Sequence, residues 1–274
     1  GLVNGYIDHH KPKYPNHDFG YTEWMKTLNE VFQSKSGFQL VDVQPADGLK
    51  EFHVGNDTVR DLTFQDFIRM ELEDKGYPEA LNQAERLELR RQFSQRVEKH
   101  WLTFELPVKV KVGNGPERDF GIQLTTYFGS EESTEPFKHA FKNADVVVYN
   151  GHSYVGSGPM DPDNYEPGDF SPGYQILFFD SCVSFNYYEK DYFGLKGGTN
   201  NLDLITNGME SPADASGPAQ GRFIASLIGG HEPSYRALLE TMTETDALRV
   251  VDGELDNEYS PSKASTQVQL RSTN

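Results

Sequence analysis

Two short segments decide the fold: DVVVYNGHS at residues 145–153 and YQILFFDSC at residues 174–182. Each contains an uninterrupted apolar run, which is typical of a strand buried on both faces of a parallel sheet. LDLIT at residues 202–206 is a third run of the same kind. Amphipathic helical patterns at residues 134–143 and 218–228 lie before and after these runs. Strands that alternate with helices predict an α/β fold, a mostly parallel sheet flanked by helices.

The patterning predicts three regions along the chain. Residues 1–103 form an irregular arm followed by mainly helical patterns, so we expect a helix-rich N-terminal extension of unknown role. Strict alternation of apolar and polar side chains at residues 104–112 and 120–124 predicts two neighbouring strands. These strands open an α/β domain that is expected to span residues 104–253. The polar residues 254–274 are predicted to be a tail.

Composition excludes several classes of protein. The 274 residues include 25 Lys plus Arg and 42 Asp plus Glu, a formal net charge of −17. Nucleic-acid binding needs clustered basic side chains, so this balance argues against that class. No apolar run approaches the roughly 20 residues of a membrane helix, and one cysteine cannot form an intramolecular disulfide. The chain begins with Gly1, which favours an exported or processed form and leaves the compartment open.

The residues that follow the apolar runs bear on function, because ligands of parallel sheets bind beyond the carboxyl ends of the strands. His152 follows the first run, and Cys182, the only cysteine, follows the second. A strand-end cysteine is usually a small buried hydrophobe, and a histidine in a glycine-containing turn is usually a loop residue. A nucleophilic thiolate needs a proton acceptor or an imidazolium nearby, however. The shared placement therefore favours a nucleophile and its acid–base partner.

The two segments also resemble a known family. VVVYNGHS and ILFFDSC are similar to the His and Asp-x-Cys blocks of the caspase-like cysteine peptidases, which include caspases, metacaspases, paracaspases, legumains, gingipains and clostripain. The resemblance covers about residues 119–230. It implies a caspase-like sheet and a Cys-His dyad in which Cys182 attacks the scissile carbonyl and His152 protonates the leaving amine. It also implies an oxyanion hole formed by the backbone N–H groups of Ser153 and Cys182.

The resemblance further implies a substrate preference. Asp180 matches the acidic residue that metacaspases and paracaspases carry two positions before the cysteine, where it lines the P1 pocket and selects Arg or Lys. A carboxylate suits this role because it binds a guanidinium bidentately. We therefore expect a cysteine endopeptidase whose protein or peptide substrates carry a basic P1 residue. Many relatives are activated by cleavage, and Lys190 and Lys196 lie in a predicted loop where such a cut is expected.

Two departures from the family pattern keep an alternative open. Ser153 stands where the family usually has glycine, and Val183 follows the cysteine where a glycine is common nearby. Both favour a catalytically inactive caspase-like domain that serves as a binding or scaffold module. A third interpretation is a metal-dependent hydrolase built on His9 and His10.

Acidic residues are concentrated in the loop that follows His152: Asp161, Asp163, Glu166 and Asp169. Carboxylates on a loop are ordinary calcium ligands, and they could equally line a cationic subsite. EF-hand spacing is absent, which favours a solvated acidic loop. No cofactor and no metal ligand is therefore predicted, with calcium as the alternative.

Overall fold

The structure is a computed structural model that describes residues 1–8, 12–46, 49–111, 114–129, 133–212, 214–230, 234–242, 247–253 and 266–270. The described strands are β1 (Leu2–Asn4), β2 (Gln39–Gln44), β3 (Glu51–Val54), β4 (Asp57–Arg60), β5 (Trp101–Val110), β6 (Arg118–Phe128), β7 (Val146–Asn150), β8 (Gln175–Asp180), β9 (Leu202–Asn207), β10 (Ala247–Asp252) and β11 (Thr266–Leu270). The described α-helices are α1 (Phe19–Ser34), α2 (Phe64–Ile68), α3 (Gln83–Val97), α4 (Glu135–Asn143), α5 (Phe185–Leu195), α6 (Ser216–Gly229) and α7 (Tyr235–Glu240).

Nine of these strands form one sheet, in the order β11-β10-β9-β8-β7-β1-β6-β5-β2, and β3 and β4 form a separate hairpin. The central strands β9, β8, β7, β1 and β6 run parallel to one another. Antiparallel strands extend the sheet at both sides, β10 and β11 beyond β9, and β5 and β2 beyond β6. The predicted α/β fold with a largely parallel sheet flanked by helices is confirmed.

The N-terminal region belongs to this sheet. β1 lies between β6 and β7 and pairs with both in parallel, so residues 2–4 of the predicted irregular arm are corrected to a central strand. β2 extends the same sheet, and β5 already begins at Trp101. The expected boundary between residues 1–103 and residues 104–253 therefore does not separate two sheets. Three residues are too few to show a strand period, and the partners of β1 lie more than a hundred positions downstream.

The C-terminal residues also contribute to the sheet. Residues 254–274 were expected to be a polar tail, but β11 pairs with β10 in antiparallel register. Residues 254–265 and 271–274 lie outside the described residues. The end of the chain is therefore corrected from a tail to a region that includes an edge strand.

Side chains alternate between the two faces of the sheet along each strand. Both faces are apolar here, and helices cover both. Val148 and Phe178 enter a core that also contains apolar residues of α1 and α6. Tyr149 and Phe179 enter a second, strongly aromatic core with residues of α4 and α5. The strands that carry the candidate site are thus buried on both sides, as their continuous apolar runs predict.

Helices α1 and α6 pack closely where α6 carries Gly221. A Cβ there would lie 2.5 Å from the Cβ of Glu30 and 2.7 Å from the carbonyl oxygen of Thr27. We expect Gly221→Ala to lower the free energy of unfolding by about 1–3 kcal/mol, because overpacking displaces backbone. Gly194→Ala in α5 is the control, since nothing lies within 4 Å of its added Cβ. Equal denaturation midpoints for the two variants would contradict the prediction.

Candidate active site

His152 and Cys182 follow strands that are neighbours in the sheet. The parallel register of β7 and β8 pairs Asn150 with Asp180, the last residue of each strand. His152 and Cys182 each come two residues after these paired ends, and both are partly exposed. Because neighbouring strands lie about 4.8 Å apart, the register brings the two segments side by side. They lie at the carboxyl edge, where sheets of this kind bind ligands.

Cys182 lies in a tight turn between β8 and α5. Val183 adopts a φ of 51°, a conformation that a β-branched residue accepts only under constraint and that glycine adopts without strain. The Val183 N–H donates to the carbonyl oxygen of Met209 at 3.0 Å, which ties the turn to the segment after β9. The Cys182 Sγ lies 3.8 Å from the carbonyl oxygen of Ser211 in that same segment. The thiol is therefore presented by a strained and well-anchored strand-to-helix turn.

The imidazole of His152 is oriented by the segment that follows β1. Its Nε2 lies 2.9 Å from the carbonyl oxygen of Ile7. A carbonyl only accepts hydrogen bonds, so Nε2 is the donor in this contact. In a Cys-His dyad, a contact of this kind would be the third, orienting group. Nothing in the sequence marks Ile7, because every residue has a backbone carbonyl and no side-chain type distinguishes this one.

Asp18 fixes the segment that carries this carbonyl. Its buried carboxylate accepts hydrogen bonds from the backbone N–H groups of Ile7 and Asp8, both at 3.0 Å, and from Gly20 at 2.6 Å. Burial raises the pKa of Asp18 above its usual value, and these three hydrogen bonds act in the opposite direction. Asp18 is also the N-cap of α1, which is the one local signal that marks it in the sequence.

Strained backbone is concentrated in the turns after β7 and β8. Five non-glycine residues in the described part of the chain have a positive φ, and three of them are Tyr154, Val155 and Val183. Each such residue costs about 1–3 kcal/mol and persists only where its surroundings impose the conformation. Such strain clusters at functional sites, so it supports a special role for these two turns. Ser153, the predicted oxyanion-hole residue of the first turn, is buried.

The structure corrects the placement of Asp180. Its carboxylate is fully buried, and its Oδ1 accepts hydrogen bonds from Arg249 at 2.5 Å, Asn207 at 2.8 Å and Ser211 at 3.0 Å. Its Oδ2 accepts a hydrogen bond from Gln220 at 2.7 Å. The resemblance implies that this carboxylate lines the P1 pocket. It is instead already paired with an arginine of the chain itself. Antiparallel pairing of β10 with β9 brings this arginine to the site.

Asp180 is ionised in this environment. Burial opposes ionisation, but the charge of Arg249 and the hydrogen bonds from Asn207 and Gln220 together lower the pKa of Asp180 below its usual value. The guanidinium is itself almost completely buried. The two charges balance, so this carboxylate adds no net negative charge with which to attract a basic side chain.

The carboxylates of the loop after His152 accept hydrogen bonds within local turns, and one of them forms an ion pair. Asp161 Oδ1 accepts the N–H of Asp163 at 3.1 Å, and Asp169 Oδ2 accepts the N–H of Glu166 at 2.9 Å. Asp169 also lies 3.6 Å from the Nζ of Lys138. Within the described residues, no group of three or more His, Cys, Asp or Glu side chains is arranged to hold a metal ion.

Of the two lysines expected at an activating cleavage point, one lies in a helix and the other in the turn that follows it. Lys190 is in α5, and Lys196 follows the last residue of that helix. The Lys196 Nζ donates to the carbonyl oxygens of Ser171 at 2.6 Å and Gly173 at 2.7 Å. A peptidase cleaves extended backbone, so the helical position of Lys190 makes it a poor cleavage point. The expectation of a loop is corrected for Lys190, because the apolar stripe of α5 is broken up by tyrosines.

Comparison of the chain with protein-family models, with curated proteins and with solved structures found no match. No helix among the described residues has the length and apolar character needed to cross a membrane. His9 and His10, the basis of the metal-hydrolase interpretation, lie outside the described residues. What the site can do therefore follows from its own geometry.

Proposed function

We propose that this chain is a cysteine endopeptidase of the caspase-like type, with Cys182 as nucleophile and His152 as acid–base residue. The observation that carries the proposal is the register of β7 and β8, which brings the two segments together at the carboxyl edge. His152 takes the thiol proton, the Cys182 Sγ bonds to the scissile carbonyl carbon, and His152 gives the proton to the leaving amine. Water then cleaves the thioester and restores the thiol.

Two further features support the proposal. The hydrogen bond between His152 and the Ile7 carbonyl supports it, because a base in such a dyad needs an orienting group. The backbone N–H groups of Ser153 and Cys182 belong to strained turns at this edge, where they would act as fixed donors to a developing oxyanion. A basic P1 preference remains a prediction from the resemblance alone, because Asp180 is already paired with Arg249.

A panel of fluorogenic peptides with Arg, Lys, Asp, Asn or Leu at P1 tests the proposal. We expect wild-type protein to cleave at least one of them and Cys182→Ala to show only background hydrolysis, because no other thiol is present. Unfolding midpoints should agree between the two proteins, which would make the loss a chemical one. Turnover that survives in the variant would exclude Cys182 as the nucleophile. Cleavage of the Asp or Asn peptide alone would exclude a basic P1 preference.

An inactive scaffold is the second candidate, favoured by Ser153 where the family usually has glycine and by Val183 where a glycine is common nearby. Iodoacetamide distinguishes the two, since alkylation of the single cysteine reports on Cys182 alone. A thiol that reacts no faster than cysteine in solution, together with no turnover of any peptide, would favour the scaffold. Rapid alkylation together with turnover would favour the peptidase.

A further inference from the structure

The turn that carries His152 is tied to the aromatic core by tyrosine hydroxyls. Tyr149 donates to the carbonyl oxygen of His152 at 2.8 Å, and Tyr188 donates to the carbonyl oxygen of Ser153 at 2.6 Å. Both tyrosine side chains are completely buried in the core between the sheet and helices α4 and α5. The two hydroxyls therefore hold two successive peptide groups of the turn.

The hydrogen bond from Tyr149 acts on one peptide group in particular. The carbonyl of His152 and the N–H of Ser153 belong to the same planar, trans unit, in which they point in opposite directions. A donor that fixes the oxygen therefore also fixes the direction of the N–H. Hydrogen bonding at the oxygen polarises the unit as well, which makes its N–H a stronger donor. This N–H is the oxyanion-hole donor of the proposed function.

Gly151 provides a second, independent observation. A Cβ on Gly151 would lie 2.4 Å from the hydroxyl oxygen of Tyr149 and 2.8 Å from its Cζ. The chain can therefore fold back over the ring only because this position has no side chain. The close approach lets the hydroxyl of Tyr149 reach a carbonyl three residues further along the same chain.

We propose that Tyr149 is a positioning residue, which aims the Ser153 N–H at the oxyanion that forms during acylation. The inference rests on the proposed function. An oxyanion exists only in the transition state and the tetrahedral intermediate, so a misaimed donor lowers kcat and leaves KM nearly unchanged. A residue that merely stabilised the fold would not produce this split.

Tyr149→Phe tests the proposal, because it removes the hydroxyl and keeps the ring. We expect kcat for the best panel peptide to fall about 10–100-fold, somewhat less than when an oxyanion donor is deleted, and KM to stay within about two-fold. The alkylation rate of Cys182 by iodoacetamide should stay at the wild-type value, because that displacement forms no oxyanion. Gly151→Ala, which displaces the same ring, should lower kcat in the same way.

Tyr192→Phe is the matched control, since the Tyr192 hydroxyl lies in the same core and donates to the carbonyl of Met160 at 2.8 Å. We expect its kcat and KM to stay within about two-fold of wild type, because Met160 lies outside the catalytic turn. Equal losses in Tyr149→Phe and Tyr192→Phe, or slower alkylation in Tyr149→Phe, would overturn the positioning role. Unchanged kcat in Tyr149→Phe would overturn it while leaving the proposed function intact. Wild-type protein that cleaves no peptide would overturn both.

Discussion

Arg249→Leu is expected to lower the free energy of unfolding by about 3–5 kcal/mol at neutral pH, because it leaves a buried carboxylate without its counter-ion. The Asp180 carboxylate and the Arg249 guanidinium are both shielded from solvent and lie 2.5 Å apart. Asn207 and Gln220 would still donate hydrogen bonds to the carboxylate, but neither carries a charge. Denaturant unfolding at fixed pH measures the effect.

The destabilisation should decrease as the pH falls. In the wild-type protein the pKa of Asp180 is lowered, so its contribution is present above the unfolded value of about 4 and is lost below it. Without the charge of Arg249, burial still opposes ionisation, so we expect this carboxyl to bind a proton at a higher pH than in the wild-type protein. The penalty in the variant then disappears as the carboxyl binds a proton. Unfolding free energies of the two proteins should therefore converge between about pH 7 and pH 4.

Two further variants sharpen this prediction. Arg236→Leu removes an exposed arginine paired with Glu240 in the same helix, and it should cost no more than about 1 kcal/mol. Combining Arg249→Leu with Asp180→Asn should recover part of the lost stability, because no buried charge remains. If the Arg236 and Arg249 variants were equally stable, the buried pair would not have the structural role that we assign to it.

His152→Gln is expected to lower kcat about 100–10,000-fold while leaving the unfolding midpoint near the wild-type value. Glutamine keeps a donor that can reach the Ile7 carbonyl, but it cannot transfer a proton to the leaving amine. His152 is partly exposed, so its replacement removes little packing. Steady-state kinetics with the best panel peptide measure the loss.

His139→Gln is the matched control for this change. His139 lies in α4, is also partly exposed, and stacks on Trp101 of β5, with ring centroids 4.4 Å apart. β5 is the third strand from β7 in the sheet. We expect its kcat to stay within about two-fold of wild type, because it lies remote from the proposed reacting atoms. Turnover by His152→Gln within ten-fold of wild type would exclude His152 as the acid. The proposed Cys-His dyad would then have no residue to protonate the leaving amine.

The central strands and the position of the candidate site follow from the sequence alone. Apolar runs at residues 145–149, 174–179 and 202–206 correspond to β7, β8 and β9 with bounds that differ by one residue. Continuous apolar runs predict these strands well because burial on both faces leaves no polar positions to interrupt them. Consecutive parallel strands end at one edge, so the common placement of the segments carrying His152 and Cys182 follows from chain order.

Local patterns were less informative wherever a partner lies far away in the chain. β1 has three residues and no periodicity, and it becomes a strand because β6 and β7 supply hydrogen bonds on both sides. The role expected of Asp180 depended on an exposed carboxylate, and its exposure is decided by Arg249, 69 positions downstream. Neither outcome is encoded in a window of neighbouring residues.

Local patterns therefore suffice to predict an α/β sheet with a cysteine and a histidine at the same edge. Three contacts emerge only in the folded chain: Ile7 orients His152, Tyr149 holds the adjoining peptide group, and Arg249 neutralises Asp180. The two kinds of feature differ in the range of the interactions that create them. Burial patterns are written into neighbouring residues, whereas hydrogen bonds to backbone carbonyls and buried counter-ions depend on which distant segments the fold brings together.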